Sequence, residues 1–399
     1  MIDATLDTGF TNVLLMMRHV GKSLLRPAGL EAEALGEPLP EDHPVFVAFN
    51  RTGLRFGLRG TGKGSGDGPS RVGRAAIIVA EELAYWDQGV MMSLPGPGLG
   101  GPPLRILGTP EQKKRFLDEP FSDPERPAWG AYATTESGAG SDVARIGTTA
   151  RREGDHYVLD GDKMFITNGA RAAWVIVFAT VDPSLGRAGQ RAFVVEKSTP
   201  GFGVGRIEKK MGLTASETAS LFLDNCRVPA ANMLGGDSKS GFKTAMATFD
   251  LSRPMVAAMA VGIGRCAWER AVEIAAAAFG SRPTATAEVL ALQRLAEARR
   301  RLDAARLLCW RAAWKMDHRE TNTLEASMAK VHAPPAGLFA CEAAMDVTGL
   351  AGVQDRLIEK CFRDVKVFDI FEGTGEIQRI VLARRLFGYP SLRAAKAAK

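Results

Sequence analysis

Apolar positions along this chain change their period twice, and the changes mark out three regions. Up to about residue 128 they recur at helical spacing between clusters of breakers. In Arg74–Trp86 (RAAIIVAEELAYW), Ile77, Ile78, Ala80, Leu83 and Ala84 share one helical face. Thr109–Leu117 (TPEQKKRFL) has a Thr N-cap, Pro at the first helical position and an acid in the first turn, so it opens a helix. Two breaker-rich stretches interrupt the pattern. Gly60–Pro69 (GTGKGSGDGP) reads as a flexible, solvent-exposed loop, and Pro95–Pro103 (PGPGLGGPP) as an irregular connection.

From about 129 the pattern is that of strands. Ala150–Ile166 (ARREGDHYVLDGDKMFI) reads as two strand segments bracketing Asp160–Gly161, a hairpin turn pair. Trp174–Val181 (WVIVFATV) has the length and continuity of a buried strand, and Arg191–Glu196 and Ser220–Val228 are further short strands. Turn signals every 8–12 residues or so indicate a small sandwich or barrel. From about 241 the chain is helical and rich in alanine. Pro254–Gly280 carries nine alanines. Ala291–Trp314 continues with Leu295, Leu302, Ala305, Leu308 and Ala312 at helical spacing, the pattern of an antiparallel bundle.

Composition narrows the class. At 399 residues, with 46% hydrophobic and 24% charged, the chain is an ordinary globular one of two or three domains, large enough to fold without disulfide or metal. The net charge of +6 is local. Arg379, Arg384, Arg385, Arg393, Lys396 and Lys399 accompany no acid from 379 to the C-terminus, and without that tail 45 basic residues face 45 acidic ones. A solvated or intersubunit tail accounts for such a run better than nucleic-acid binding does. Five widely spaced cysteines (Cys226, Cys266, Cys309, Cys341 and Cys361), with no CxxC, fit a reducing compartment. No apolar run reaches the ~20 residues of a membrane span, and Asp3 and Asp7 precede the apolar Val13–Met17, the wrong order for a secretory signal. The expected setting is cytoplasmic, with no membrane insertion.

Several motifs lead nowhere. Gly96–Gly101 (GPGLGG) satisfies GxGxxG but runs into Pro102 and Pro103 instead of opening a dinucleotide-binding helix. Gly21-Lys22-Ser23 lacks the upstream glycine of a P-loop. The histidines His19, His43, His156, His318 and His332 never pair at i, i+4, and no GxSxG occurs, so metal and serine-hydrolase chemistry have no support.

Three separated segments carry the candidate chemistry. Tyr132–Asp142 (YATTESGAGSD) joins hydroxyls to Gly138 and Gly140, whose exposed backbone suits close approach of a phosphate or a ring edge. Lys163–Gly169 (KMFITNG) ends a strand with an aromatic, a hydroxyl and an Asn-Gly turn. Phe371–Arg379 (FEGTGEIQR) places Glu372 between an apolar run and two glycines, where its pKa can rise towards that of a general base working near neutrality. Read alone, the first two are also compatible with a plain polar loop and a hairpin end.

Together these segments resemble the acyl-CoA dehydrogenase family. YATTESGAGSD, preceded by Trp129, is similar to its first signature and KMFITNG to its flavin-facing strand. Phe249–Pro254 (FDLSRP) is similar to the start of its long substrate-flanking helix, and FEGTGEIQR to the signature holding the catalytic base. Order and spacing agree from about residue 75 to 388. The resemblance implies an α+β fold of three parts: an N-terminal helical domain (1–128), a middle β-barrel or sandwich domain (129–240) and a C-terminal four-helix bundle (241–399).

It also implies FAD as cofactor, an acyl-CoA substrate and an electron-transferring flavoprotein as acceptor, in a homo- or hetero-tetramer built as a dimer of dimers. Glu372 is then the catalytic base, its own backbone N–H also binding the thioester oxygen. Cofactor contacts fall on Tyr132, Thr134, Thr135, Gly140, Ser141, Phe165, Thr167, Thr374 and Glu376, and substrate contacts on Ser141, Arg253, Phe371 and Gly373. Some branches carry the base on the long helix one residue before the Arg; here that residue is Ser252, which favours Glu372.

Two positions depart from the family. Three residues before Phe279-Gly280 stands Ala276 instead of an Arg for the FAD pyrophosphate, and Asp346 stands where a Gln meets the adenosine half. Both contacts reach across a dimer, which raises the expectation of a paralogous partner subunit, with Arg282 as an internal substitute. An oxidase-like branch, a non-catalytic subunit of a heteromeric dehydrogenase and a nucleic-acid-associated flavoprotein are the competing readings.

Overall fold

A computed structural model describes residues 8–52, 71–236, 241–279 and 285–388. The loop read at Gly60–Pro69, together with Arg282 and the tail residues Arg393, Lys396 and Lys399, lies outside them. Among the described residues the first α-helices are α1 (Thr8–Val20), α2 (Arg26–Leu35), α3 (Pro44–Arg51), α4 (Val72–Ser93), α5 (Gly101–Leu107) and α6 (Pro110–Lys113). The face expected on α4 is the one it buries: Ile77, Ile78, Ala80, Leu83 and Ala84 are all in the core. At α6 the Thr109 side chain accepts from Gln112 N–H while the Gln112 side chain accepts from Thr109 N–H, closing a reciprocal cap.

Among the described residues seven strands form one sheet: β1 (Gly130–Ala133), β2 (Thr149–Glu153), β3 (His156–Thr167), β4 (Trp174–Thr180), β5 (Gln190–Glu196), β6 (Phe202–Ile207) and β7 (Thr218–Pro229). Their order is β1-β4-β2-β3-β7-β6, with β5 also pairing β4. Strand β4 therefore has neighbours β1, β2 and β5, and every residue of it is buried, as its unbroken apolar run requires.

The hairpin turn expected at Asp160–Gly161 is not there. The chain reverses at Gly154-Asp155, where Gly154 has φ 62°, and β3 runs on through 160 and 161 with a register shift between Leu159 and Gly161. Gly161 has φ 146°, and a Cβ on it would lie 2.6 Å from Thr148 Oγ1. The glycine serves a bulge and a close approach, not a reversal. The GPGLGG loop is likewise structural. A Cβ on Gly100 or Gly130 would meet the Trp174 ring at 2.6 Å or 2.5 Å, and a short helix opens at Gly101 with Pro102 and Pro103 in its first turn.

The rest is helical: α7 (Gly241–Phe279), α8 (Thr286–Asp317), α9 (Thr323–Thr348), α10 (Leu350–Gln354), α11 (Arg356–Val365) and α12 (Gly375–Phe387). Helices α7, α8, α9 and α11 share one apolar core with α4. Small residues let α7 and α9 cross closely; a Cβ on Gly264 would lie 2.8 Å from Gly337 Cα. Helix α7 starts well before Pro254, which lies inside it. Proline cannot donate to the carbonyl four residues earlier, and that carbonyl, Asp250 O, accepts from Asn322 Nδ2 at 3.3 Å instead. Among the described residues no helix is long and apolar enough to cross a membrane.

Candidate active site

The three sequence segments converge on α7. Glu372 follows a short helical turn at Lys366–Asp369 and precedes α12, in the left-handed region at φ 55°. It is partly buried. Ser252 Oγ on α7 donates to Glu372 Oε2 at 2.5 Å, and Arg253 Nε donates to the Glu372 carbonyl oxygen at 3.4 Å. Arg253 pairs with Asp250 at 3.0 Å and its guanidinium lies 5.7 Å from the centre of the Phe249 ring. Phe249 meets Tyr132 edge-on at 5.9 Å. Through Phe249, Ser252 and Arg253, the Tyr132 segment and the Glu372 loop face a common space.

Loss of water raises the Glu372 pKa above the ordinary carboxylate value. The Ser252 hydrogen bond and the charges of Lys330 and Arg253 pull it back in part. Tyr132 is pushed up as well, first by burial and then by the nearby Glu372 charge.

The first segment presents unused polar atoms. Tyr132 Oη and Thr134 Oγ1 are buried beside each other, and among the described residues no further protein group pairs with either. Buried hydroxyls without partners mark a place where a ligand supplies them. Gly138, Gly140 and Ser141 are exposed, and a Cβ on Gly138 or Gly140 would touch nothing.

The second segment lies alongside the first, because Met164 N–H donates to Thr135 O at 2.9 Å. Phe165 is 59% exposed with φ 57°, beside a register shift in β3 that turns its ring outward, and Thr167 is partly exposed. In the third segment Thr374 Oγ1 caps α12 by accepting from Ile377 N–H at 3.3 Å. Glu376 is exposed in the first turn, Phe371 packs edge-on against Phe368 at 5.0 Å, and Gly373 has φ 91°.

Four residues of this neighbourhood escape motif reading. Glu136 and Lys163, inside the two β-region motifs, form a buried pair at 2.6 Å. Lys330 on α9 is wholly buried, and Gln378 on α12 directs its amide at the Glu372 and Gly373 carbonyls at 3.5 Å and 3.4 Å. The signal for Lys330 is a single charge inside the apolar helix sequence ASMAKVHA. Of the two departures, Ala276 is exposed, and Asp346 pairs with Arg294 at 2.5 Å.

Known proteins match the chain in sequence and fold. The acyl-CoA dehydrogenase middle-domain model matches residues 131–226 and the acyl-CoA dehydrogenase C-terminal-domain model residues 239–387. A short-chain specific acyl-CoA dehydrogenase of Bos taurus mitochondria is 41% identical over 318 residues, 78% of this chain and 75% of that one. A 3-(aryl)acrylate reductase of Clostridium sporogenes is 39% identical over 317 residues, 78% of this chain and 82% of its own length. The structure of butyryl-CoA dehydrogenase from Megasphaera elsdenii superposes with TM-score 0.85 at 34% identity, covering 96% of this chain and 100% of that one. On these matches the chain belongs to the acyl-CoA dehydrogenase family of FAD-dependent enzymes.

Proposed function

We propose that this protein dehydrogenates an acyl-CoA thioester across its α and β carbons to the trans-2-enoyl-CoA, with Glu372 as the base that takes the α-proton. The observation that carries this reading is a carboxylate with one side-chain hydrogen bond, from Ser252, in a water-poor site that raises its pKa. A carboxylate whose pKa is raised in this way is a stronger base than one in water, as proton abstraction from carbon requires.

The residues of the first two segments fit FAD. Tyr132 and Thr134 offer the two unused buried hydroxyls, Thr135, Phe165 and Thr167 flank them, and Gly140 and Ser141 leave an open backbone for phosphate. Thr374 and Glu376 complete the proposed contacts at the start of α12. FAD, when bound, supplies the acceptor for the hydride that leaves the β-carbon. Glu372 meanwhile holds the α-proton on its carboxylate, and its backbone N–H binds the thioester oxygen as negative charge develops there. Arg253 and Phe371 bound the thioester end, Gly373 leaves room beside it, and Ser141 meets the CoA arm.

Electrons then leave to an electron-transferring flavoprotein. Transfer to that protein in preference to oxygen in a coupled assay is the expected result, and oxygen-dependent peroxide release would instead mark an oxidase.

The assembly proposed is a tetramer. Leu350, Val353, Leu386 and Phe387 are exposed apolar residues at the C-terminal end of the chain, where a subunit contact would cover them. Arg294 neutralises Asp346, which removes the electrostatic objection to a homomer, whereas Ala276 keeps the case for a paralogous partner. Flavin content of the chain expressed alone separates the two: full occupancy in a homotetramer excludes an obligatory partner.

Glu372→Gln tests the central reading. Enoyl-CoA formation should vanish while FAD stays bound; unchanged turnover would refute the assignment.

A further inference from the structure

We propose that Lys330 is a positioning residue for Glu372: its ammonium clamps the two ends of the loop that carries the carboxylate and provides the positive charge that keeps it ionised. This rests on the reading of Glu372 as the base.

Lys330 has no exposed surface. A lysine side chain so placed needs strong acceptors. Its Nζ donates to Phe368 O at 2.5 Å and to Gly373 O at 3.3 Å, carbonyls on either side of Glu372. Between them Glu372 adopts φ 55°, a conformation that a residue with a Cβ holds only where its surroundings enforce it. Gln378 and Arg253 bond the same stretch, but at 3.4–3.5 Å. Lys330 makes the shortest of these contacts, and makes them from α9.

The charged groups facing Lys330 are Glu372 and Asp369 on the loop, which favour its charge, and Arg253 from α7, which opposes it. Ser252 and Gln378 are the neutral polar groups on α7 and α12. Lys330 and Arg253 both favour ionised Glu372, in the direction opposite to burial. Burial draws the Lys330 ammonium itself down to about 8, so the charge that serves Glu372 is lost on the alkaline side of neutrality.

The test uses the FAD-loaded enzyme with butyryl-CoA and an artificial electron acceptor, with FAD content and Tm measured on every variant. Lys330→Gln keeps two donors and loses the charge. It should lower kcat about tenfold with KM within about twofold, and raise the acid limb of the kcat profile by about one pH unit. Lys330→Arg, which keeps the charge, should leave that limb near its wild-type position. A core lysine with no influence on the base would change Tm and leave the limb where it is, and that result overturns the proposal.

Asp369→Asn leaves Lys330 in place and keeps the test open if the lysine variants do not fold. Removing the Asp369 charge should lower an alkaline limb lying near pH 8; an unmoved limb, or no limb there in the wild type, also overturns the proposal. Glu372→Gln run alongside separates the two readings. If it turns over, the base assignment fails and the clamp with it. If it is inactive while the Lys330 variants keep the wild-type limb, only the clamp fails.

Discussion

Two carboxylate–lysine neighbourhoods lie close to the candidate site, and they are built to opposite ends. Glu136 accepts from Lys163 Nζ at 2.6 Å, Thr148 Oγ1 at 2.6 Å, Thr148 N–H at 3.1 Å and Gly147 N–H at 2.5 Å. Its pKa falls below the ordinary value because the lysine charge and these donors outweigh burial. Glu372 accepts one side-chain hydrogen bond, and the nearby Lys330 spends its donors on backbone carbonyls, so burial wins and the pKa rises. A carboxylate with its lone pairs filled is a staple, here joining β3 to the loop after β1. One left short of donors keeps a raised pKa, the property that the proposed base needs. Deeper burial raises Glu372, while a directly bonded lysine and three further donors hold Glu136 down.

The comparison can be broken by substitution, and the largest effect should come at Glu372. Glu372→Gln is expected to cost about 10³-fold in turnover with little change in Tm, since general-base catalysis supplies about 10²–10⁴. Turnover and melting measured on the same preparation check both halves. At the other carboxylate the pattern reverses. Lys163→Met leaves Glu136 in place without its buried partner and should lower stability by about 3 kcal/mol, read from denaturant unfolding. The pH profile of whatever activity survives should keep its acid limb.

Gly161→Ala is a subtler attack on the satisfied pair. The new Cβ would meet Thr148 Oγ1 at 2.6 Å and Thr148 Cα at 2.8 Å, displacing the residue that gives Glu136 two of its donors. A loss of about 2 kcal/mol is expected, again without a shift in pH dependence.

Ser252→Ala sharpens the reactive side. Ser252 favours ionised Glu372, so removing it should raise the Glu372 pKa further. The base is active only when ionised, and activity is lost as pH falls through that pKa. The variant should therefore be several-fold slower than wild type on the acid limb of the profile and close to it above that limb, an acid-limb shift of about one unit or less. A uniform loss at all pH values would mean that the serine acts on something other than the carboxylate.

Much of the fold was legible because burial and period agree. The unbroken run at Trp174–Val181 became the fully buried β4, and the apolar face of Arg74–Trp86 became the buried face of α4. Asp160–Gly161 misled because a glycine after an acid has the same appearance in a turn and in a bulge; only the Thr148 backbone pressing on Gly161 separates them. β6 escaped notice because FGVGRI, with two glycines and no buried residue, lacks the signal of a packed strand.

At the site, Glu372 stood out through its apolar neighbours and the family motif. Lys330 did not, although a lone charge in an alanine-rich helix is a visible anomaly, because nothing in the sequence says which carbonyls it meets. Helix α9 reaches the Glu372 loop only through the packing of the C-terminal helices.

By itself the sequence determined the three-part order of helix, sheet and helix, the placement of the principal helices and strands, and the motifs that single out Glu372. Those properties follow from local period, capping and residue type, which a chain carries before it folds. Tertiary structure alone decided which carboxylate is saturated with donors and which is left with one side-chain hydrogen bond. Hydrogen bonds to Glu136 arrive from residues 11 to 27 positions away, and those around Glu372 from α7 and α9, and only packing brings such groups within 3 Å of one another.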